Sequence, residues 1–342
     1  MSNSKSCCCS SNDNSCCSTD IPVTTTTLSF KDILGGWKVR WGIDRANYRI
    51  DPGLYAIGSP DHLSPVLVSA NYKLTFDSLR KELSGLNCWI LILDTKGVNV
   101  WCAAGKGTFG TDELVKRIAI TGLSEIVSHR KLILPQLGAP GVSAHEVASQ
   151  TGFSVMYGPV RARDLKAFID SGFKATSEMR IVKFTLWDRL KLTPVEVVTA
   201  AKVSLKVFGV LFLINLFAAR PFGFEDFIVY AGAVLAGTVV TPVLLPYIPG
   251  RAFAWKGWLL GLLWTAGFAW LNGWLVPGSL LPAIGYLLVL PSLSAFLAMN
   301  FTGSSTYTSF SGVIKEMKIA VPLIALSSAA GIALVLIHHL WA

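Results

Sequence analysis

The run Asn99-Val100-Trp101-Cys102-Ala103-Ala104-Gly105-Lys106 places one cysteine directly after a hydrophobic segment, Trp89 to Leu93, among residues too small to obstruct a large flat ligand. Folded as a short helix, the run sets Asn99, Cys102, Ala103 and Lys106 on one face, at spacings of three and four. With Asn99 as the N-cap, Cys102 falls in the first turn, where the helix dipole and the Lys106 ammonium favour the thiolate. A thiolate ligates soft metals and attacks electrophiles. Ala103, Ala104 and Gly105 remove bulk that would keep a macrocycle away, and Trp101 is either an aromatic surface or part of the core. The residues alone leave two readings open: a small core cysteine, or a thiol that meets a metal or a planar macrocycle. A Cys–His catalytic pair lacks context, because His62, His129 and His145 sit in no protease or transferase pattern. Gly105-Lys106-Gly107-Thr108 is not a phosphate-binding loop, since the preceding glycine, Gly97, is at the wrong spacing.

The elements that must position this cysteine alternate in type. Strands are expected at Leu54–Gly58, Val66–Ala70, Trp89–Leu93, Lys131–Leu134, Ser154–Tyr157 and Arg180–Phe184, and helices at Thr75–Ser84, Thr111–Thr121, Ala144–Thr151 and Arg163–Ser171. Apolar strands alternating with helices predict an α/β, Rossmann-like domain with a largely parallel sheet, spanning residues 28–190. Ligands of such sheets bind beyond the carboxyl ends of the strands. The loops there are Ser69–Leu74, Thr95–Lys106, Pro135–Val142 and Tyr157–Arg163. Ser69, Asn71 and Thr75 could hydrogen-bond a polar ligand rim, with helix capping an equal alternative for Thr75. Gly138, Ala139 and Gly141, like Gly158 and Pro159, permit close backbone approach, as in any tight loop.

After residue 190 the chain becomes apolar. Stretches at 203–219, 227–248, 255–274, 280–299 and 319–341 each approach the ~20 residues that a membrane-crossing helix needs, and predict an all-α domain of five transmembrane helices. Trp255, Trp258, Trp270, Trp274 and Trp341 suit interfacial belts. Pro242, Pro246, Pro282 and Pro291 would kink or break these helices, which membrane bundles tolerate. Arg189, Lys191, Lys202 and Lys206 precede the first span, Arg251 and Lys256 lie in the second connection, and Lys315 and Lys318 in the fourth. The positive-inside rule then puts the N-terminal domain in the cytoplasm and the C-terminus outside, in an inner membrane. A transporter is the competing reading, but the spans lack acidic residues; Lys206, Asn215 and Asn272 are their main polar groups.

The 342-residue chain is 52% hydrophobic and only 15% charged, which points to a membrane component rather than a soluble enzyme. The net charge of +9 resides mainly in the first two thirds and reflects topology; no nucleic-acid-binding motif accompanies it. No secretory signal opens the chain. Residues 1–27 are expected to form a disordered tail rich in Ser and Cys, whose Cys7, Cys8, Cys9, Cys16 and Cys17 match no zinc or iron–sulfur spacing.

The run 99–106 fits the pattern N-[VI]-W-C-A-A-G-K at every position, and the chain thereby resembles the membrane-bound corrinoid proteins of microbial mercury methylation (HgcA). Pro65-Val66-Leu67-Val68-Ser69-Ala70-Asn71-Tyr72-Lys73-Leu74-Thr75 and Tyr157-Gly158-Pro159-Val160-Arg161-Ala162 resemble segments of the corrinoid domain shared with the corrinoid iron–sulfur proteins of acetyl-CoA synthesis. The resemblance implies a bound cobalt corrinoid, with Cys102 as the lower axial ligand and residues 99–106 forming the cap over it. It implies a methyltransferase that takes methyl from a methyltetrahydrofolate-linked donor and passes it to Hg(II). Axial ligand identity is a main lever on metal reactivity, and a thiolate donor should ease methyl departure toward a soft electrophile. With no cluster-binding cysteine spacing and no folate barrel, the chain would need a separate methyltransferase and a two-cluster [4Fe-4S] ferredoxin (HgcB) as reductant. The alternative is a membrane-anchored corrinoid methyl carrier of one-carbon metabolism whose acceptor is a protein.

Overall fold

The computed structural model describes residues 21–341, and the cysteines of the expected tail lie outside them. The chain divides into two compact units: residues up to Phe30 with Ala46–Arg180, and Lys31–Arg45 with Ile181–Ala342.

In the first unit, apolar runs become strands: β1 (Val23–Thr24), β2 (Gly53–Ile57), β3 (Val66–Ala70), β4 (Cys88–Leu93), β5 (Lys131–Leu134) and β6 (Ser154–Tyr157), in the spatial order β1-β2-β4-β3-β5-β6. All pairings are parallel except β2 with β4, which is antiparallel. The expected parallel sheet thus carries an antiparallel strand near one edge. The segment preceding it supplies β1, so Val23–Thr24 is ordered against Ala56–Ile57 rather than part of a tail. The central strands β3 and β4 are buried along their whole length, as their unbroken apolar sequence requires of strands covered on both faces. One core layer joins Val66, Val68, Leu91 and Leu93 to Leu114, Ile118 and Phe153; the other joins Leu67, Ile90 and Ile92 to Phe76, Leu79 and Phe168.

The helices of this unit, with α1 (Phe30–Arg40) assigned almost wholly to the other, are α2 (Lys73–Arg80), α3 (Val100–Gly105), α4 (Thr111–Ile120), α5 (Leu123–Ile126), α6 (Ala144–Thr151) and α7 (Leu165–Asp170). α2 begins two residues before the expected start, with Tyr72 at its N-cap position, and Asp77 falls within it. That carboxylate is buried and paired with Lys73 at 2.7 Å and Arg80 at 2.8 Å. The strand expected at 180–184 does not form: a single turn, Glu178–Arg180, precedes extended chain in which Ile181 and Val182 are exposed. Its β-branched composition lacks a neighbouring strand to pair with.

The second unit continues with α8 (Leu186–Leu190), α9 (Thr193–Asn215), α10 (Phe224–Leu235), α11 (Thr241–Leu244), α12 (Phe253–Leu271), α13 (Leu280–Asn300) and α14 (Phe310–Trp341). Among the described residues, four helical stretches are long and apolar enough to cross a membrane: Leu186–Asn215, Phe224–Leu244, Leu280–Gly303 and Ser311–Leu340. These make the unit a multi-pass membrane bundle. The expected span at 255–274 is corrected, since it is not among these four. It forms α12, whose Trp255, Trp258, Trp264 and Trp270 and three glycines dilute its aliphatic content. Small residues press it onto α13: a Cβ on Gly257 would lie 2.5 Å from the Ser294 carbonyl oxygen, the close approach that helices in a bilayer use. Between α10 and α11, Ala236–Val240 widens into a π-turn just before Pro242, which lacks an amide proton for the α ladder. Asn215 pairs with both backbone groups of Phe222, at 2.8 and 3.1 Å, and Asn272 bonds to the Phe268 carbonyl, so both serve helix ends.

Candidate functional site at the carboxyl end of the sheet

The chain runs from β3 to β4 on one side, then crosses to β5 on the other. This is the topological switch beside which open α/β sheets bind ligands. The loops after β3, β4, β5 and β6 all emerge at that end because the four strands are parallel.

Asn71, at the tip of β3, organises the loop that leads to Cys102. It is 2% exposed. Its Oδ1 accepts from the amides of Thr95 at 3.1 Å and Gly97 at 2.9 Å, and its Nδ2 donates to Asp94 at 3.2 Å. The Thr95 hydroxyl lies 2.9 Å from the same Oδ1 and 2.6 Å from the Val98 carbonyl. Asp94 is held in turn: its amide donates to Glu113 at 2.9 Å, and Glu113 pairs with Arg117 at 2.7 Å. Lys96 and Gly97 both adopt positive φ, 58° and 74°, so the chain reverses tightly before α3. Asn71 is therefore committed to the loop, not turned toward a ligand. Sequence reading missed this latch; the signal was the Asp-Thr-Lys-Gly turn chemistry directly after a buried strand.

The Asp94 carboxyl is held below the usual carboxylate range, chiefly by the Lys96 hydrogen bond, with the charges of Lys96 and Arg117 assisting against partial burial. A depressed folded value means that its stabilising contribution is present above the unfolded value of about 3.9 and disappears as pH falls through the folded one. Hydrogen exchange at residues 95–99 should accordingly be insensitive to ionisation near neutrality, with protection against the intrinsic rate declining only in strong acid. A decline centred above pH ~5 would contradict the assignment.

Asn99 caps α3 as expected: its side chain accepts from the Cys102 amide at 2.9 Å. The face that α3 presents differs from the expected one. Val100, Ala103 and Ala104 are buried, whereas Trp101 is 39% exposed, Cys102 is half-buried, and Gly105 and Lys106 are exposed. Ala103 does not accompany Cys102 at the surface. The Ala103 carbonyl accepts from the amides of Thr108 and Phe109, at 3.0 and 3.2 Å, folding the chain back beneath the helix. Only Gly105 among the small residues leaves open space; a Cβ there would meet nothing within 4 Å.

The glycines after β5 have a packing reason. A Cβ on Gly141 would collide with the Phe109 carbonyl oxygen and stand 3.0 Å from the Ala104 Cα, and one on Gly138 would stand 2.5 Å from the Phe109 ring. Gly138 and Gly141 thus let the turn containing Ala139 close on α3, instead of forming an open cradle. Gly158 and Pro159 are buried, with the Gly158 amide bonded to the Leu134 carbonyl at 2.8 Å. Ser69 is buried within β3, and the Thr75 amide donates to the Tyr72 carbonyl at 2.9 Å in the first turn of α2. The structure therefore gathers Trp101, Cys102, Gly105 and Lys106 at one surface and uses the other candidates to shape and hold it.

Two cysteines are described, and their environments are opposite. Cys88 is fully buried in β4, and burial pushes its thiol up to about 12, whereas Cys102 reaches solvent. Iodoacetamide applied to the native chain should modify Cys102 and spare Cys88, as read by peptide mass spectrometry. Equal labelling of the two would contradict this placement.

The donor set bears on what metal chemistry fits. Among the described residues, no group of three or more His, Cys, Asp or Glu side chains could hold a metal ion. One accessible sulfur beside an open surface suits a metal already held by a macrocycle, which needs a single further ligand from the protein. The residues present fit that group.

Residues 42–169 match the family model of the CO dehydrogenase/acetyl-CoA synthase delta subunit. Over 128 residues the chain is 34% identical to the acetyl-CoA decarbonylase/synthase complex subunit gamma of Methanopyrus kandleri, covering 37% of this chain and 27% of that one. It is 36% identical over 111 residues to the corresponding subunit of Methanocaldococcus jannaschii (32% and 22% coverage) and 30% identical over 131 residues to that of Archaeoglobus fulgidus (38% and 27%). The chain spans about a quarter of the length of these curated relatives. They overturn the mercury reading. The expected family, the mercury methyltransferase activity, Hg(II) as substrate and HgcB as partner are all corrected, because the relatives are subunits of an acetyl-CoA decarbonylase/synthase complex. The eight-residue motif misled for a structural reason. Asn99, Val100, Ala103 and Ala104 serve capping and packing, which record how a helix is seated and not which acceptor receives a methyl group.

Proposed function

We propose that this chain is a membrane-anchored corrinoid methyl carrier of one-carbon metabolism, working with protein partners of the acetyl-CoA decarbonylase/synthase kind. The observation that carries the proposal is the coincidence of the matched segment, 42–169, with the α/β unit that displays Cys102 beside the switch point. A bound corrinoid supplies a cobalt centre able to accept and release a methyl group.

The chain's own residues have distinct roles in this reading. Cys102 would hold the corrinoid cobalt through its sulfur. Asn99 fixes the first turn from which that sulfur projects, and Asn71 is a positioning residue that holds the preceding loop. Gly105 keeps the neighbouring surface flat, while Trp101 and Lys106 border it. Ser69, Thr75, Gly138, Ala139, Gly141, Gly158 and Pro159 form the underlying frame, and Val100, Ala103 and Ala104 seat the helix. Basic residues before the first span favour the cytoplasm for the α/β unit, and four crossings would return the C-terminus to the same side.

The test uses the full chain in lipid nanodiscs, loaded with carbon-labelled methylcobalamin and mixed with a purified acetyl-CoA synthase subunit, carbon monoxide and coenzyme A. The expected result is label in acetyl-CoA. Label that stays on the chain while the synthase accepts methyl from its own partner would contradict the proposal.

A further inference from the structure

α1 carries an unpartnered apolar stripe. Phe30, Ile33, Leu34, Trp37 and Trp41 are exposed by 79, 49, 44, 64 and 44%. At ~100° per residue they fall within roughly 100° of arc. Trp41 continues the helical path, its amide donating to the carbonyls of Trp37 and Lys38. The opposite side is closed, with Gly36 and Val39 buried. Lys31 and Lys38 lie along one border of the stripe and Arg40 along the other. That is where long basic side chains reach from an apolar boundary to charged headgroups.

Placement in the chain identifies the occupant. The chain leaves the α/β unit at Phe30 and returns at Ala46, and residues 31–45 cluster with the membrane bundle. The turn after α1 rests on the start of the first spanning stretch: a Cβ on Gly42 would lie 3.3 Å from the Val195 Cγ2, and Arg45 is close enough to Glu196 to act on its charge. α1 thus leads into a turn that rests near the start of that stretch. An apolar stripe of this size facing water would be an association hazard. A short helix with two tryptophans, a bare apolar face and basic borders has the composition of a segment lying in the membrane interface.

We infer that α1 is an interfacial helix, its Phe30–Trp41 stripe embedded at the headgroup–acyl boundary of the bilayer that the bundle spans. The inference rests on the membrane character of the bundle and is independent of the corrinoid reading.

The test places the photo-crosslinker p-benzoylphenylalanine at Trp37 or Ile33 in the full chain, with Ser84, exposed in the α/β unit, as the control position. The protein is reconstituted in vesicles of phosphatidylcholine and phosphatidylglycerol and illuminated. Lipid adducts on the peptides carrying positions 33 and 37, several-fold above those at position 84, are expected. Crosslinks from both positions to another protein chain, or lipid adducts no more abundant than at position 84, would overturn the inference. Since both positions are already exposed, the substitutions leave the buried face of α1 intact.

Discussion

Replacing Asn71 by alanine is expected to unlatch the loop ahead of α3 and cost about 3 kcal/mol of local stability. The estimate rests on roughly 1 kcal/mol per hydrogen bond lost and a further penalty for the Gly97 amide left without its acceptor. Gly97 loses its acceptor, Thr95 keeps only the Leu93 carbonyl, and Asp94 loses a donor. The effect should be local because β3 keeps its backbone pairing: the Asn71 amide still donates to the Leu93 carbonyl and its own carbonyl still accepts from the Ile50 amide. Hydrogen exchange in the full chain resolves the two levels. The amides of residues 95–99 should lose most of their protection, while those of β3 and β4 retain theirs. Unchanged protection at Thr95 and Gly97 would show that the latch is dispensable. Asn71→Asp should not rescue it, since it sets a second carboxylate against Asp94 and removes the amide donor.

Cys102→Ala carries the largest functional effect. Alanine keeps the helix propensity of α3, and Cys102 contributes its side chain at a half-exposed position, so the fold should persist with the exchange pattern of the α/β unit unaltered. Methyl delivery to a protein acceptor should fall by orders of magnitude, because the proposed cobalt-binding sulfur has no substitute among its described neighbours: Ala103 and Ala104 are inert, and the other described cysteine, Cys88, is buried in β4. Cys102→Ser is the conservative control. It restores volume but not a soft donor, and should resemble alanine in activity. Wild-type methyl transfer by either variant would remove Cys102 from the mechanism.

These contrasts show where sequence was informative. Val66–Ala70, Lys131–Leu134, Ala144–Thr151 and Ser154–Tyr157 are elements with the expected bounds, because each is a short run whose apolar pattern is bracketed by turn or capping residues. Asn99 as a cap was legible for the same local reason. Features that depend on distant partners were not. The antiparallel direction of β2 depends on its pairing with β4, and the failed strand at 180–184 depends on having no neighbour. The burial of Ala103 follows from Phe109 returning beneath the helix, and the role of Asn71 from a loop more than twenty residues away in sequence. The mercury assignment failed similarly: the motif encodes how α3 is seated, whereas the relatives over 42–169 bear on the complex in which such a domain works.

The central claim is that Cys102 supplies its sulfur to a corrinoid cobalt. Cobalt-edge X-ray absorption on the full chain reconstituted with a corrinoid reads that bond directly. The account predicts one sulfur scatterer in the cobalt coordination shell of the wild-type protein and none in Cys102→Ala. A wild-type shell made only of nitrogen, oxygen and carbon, or a sulfur signal that survives in Cys102→Ala, would contradict it.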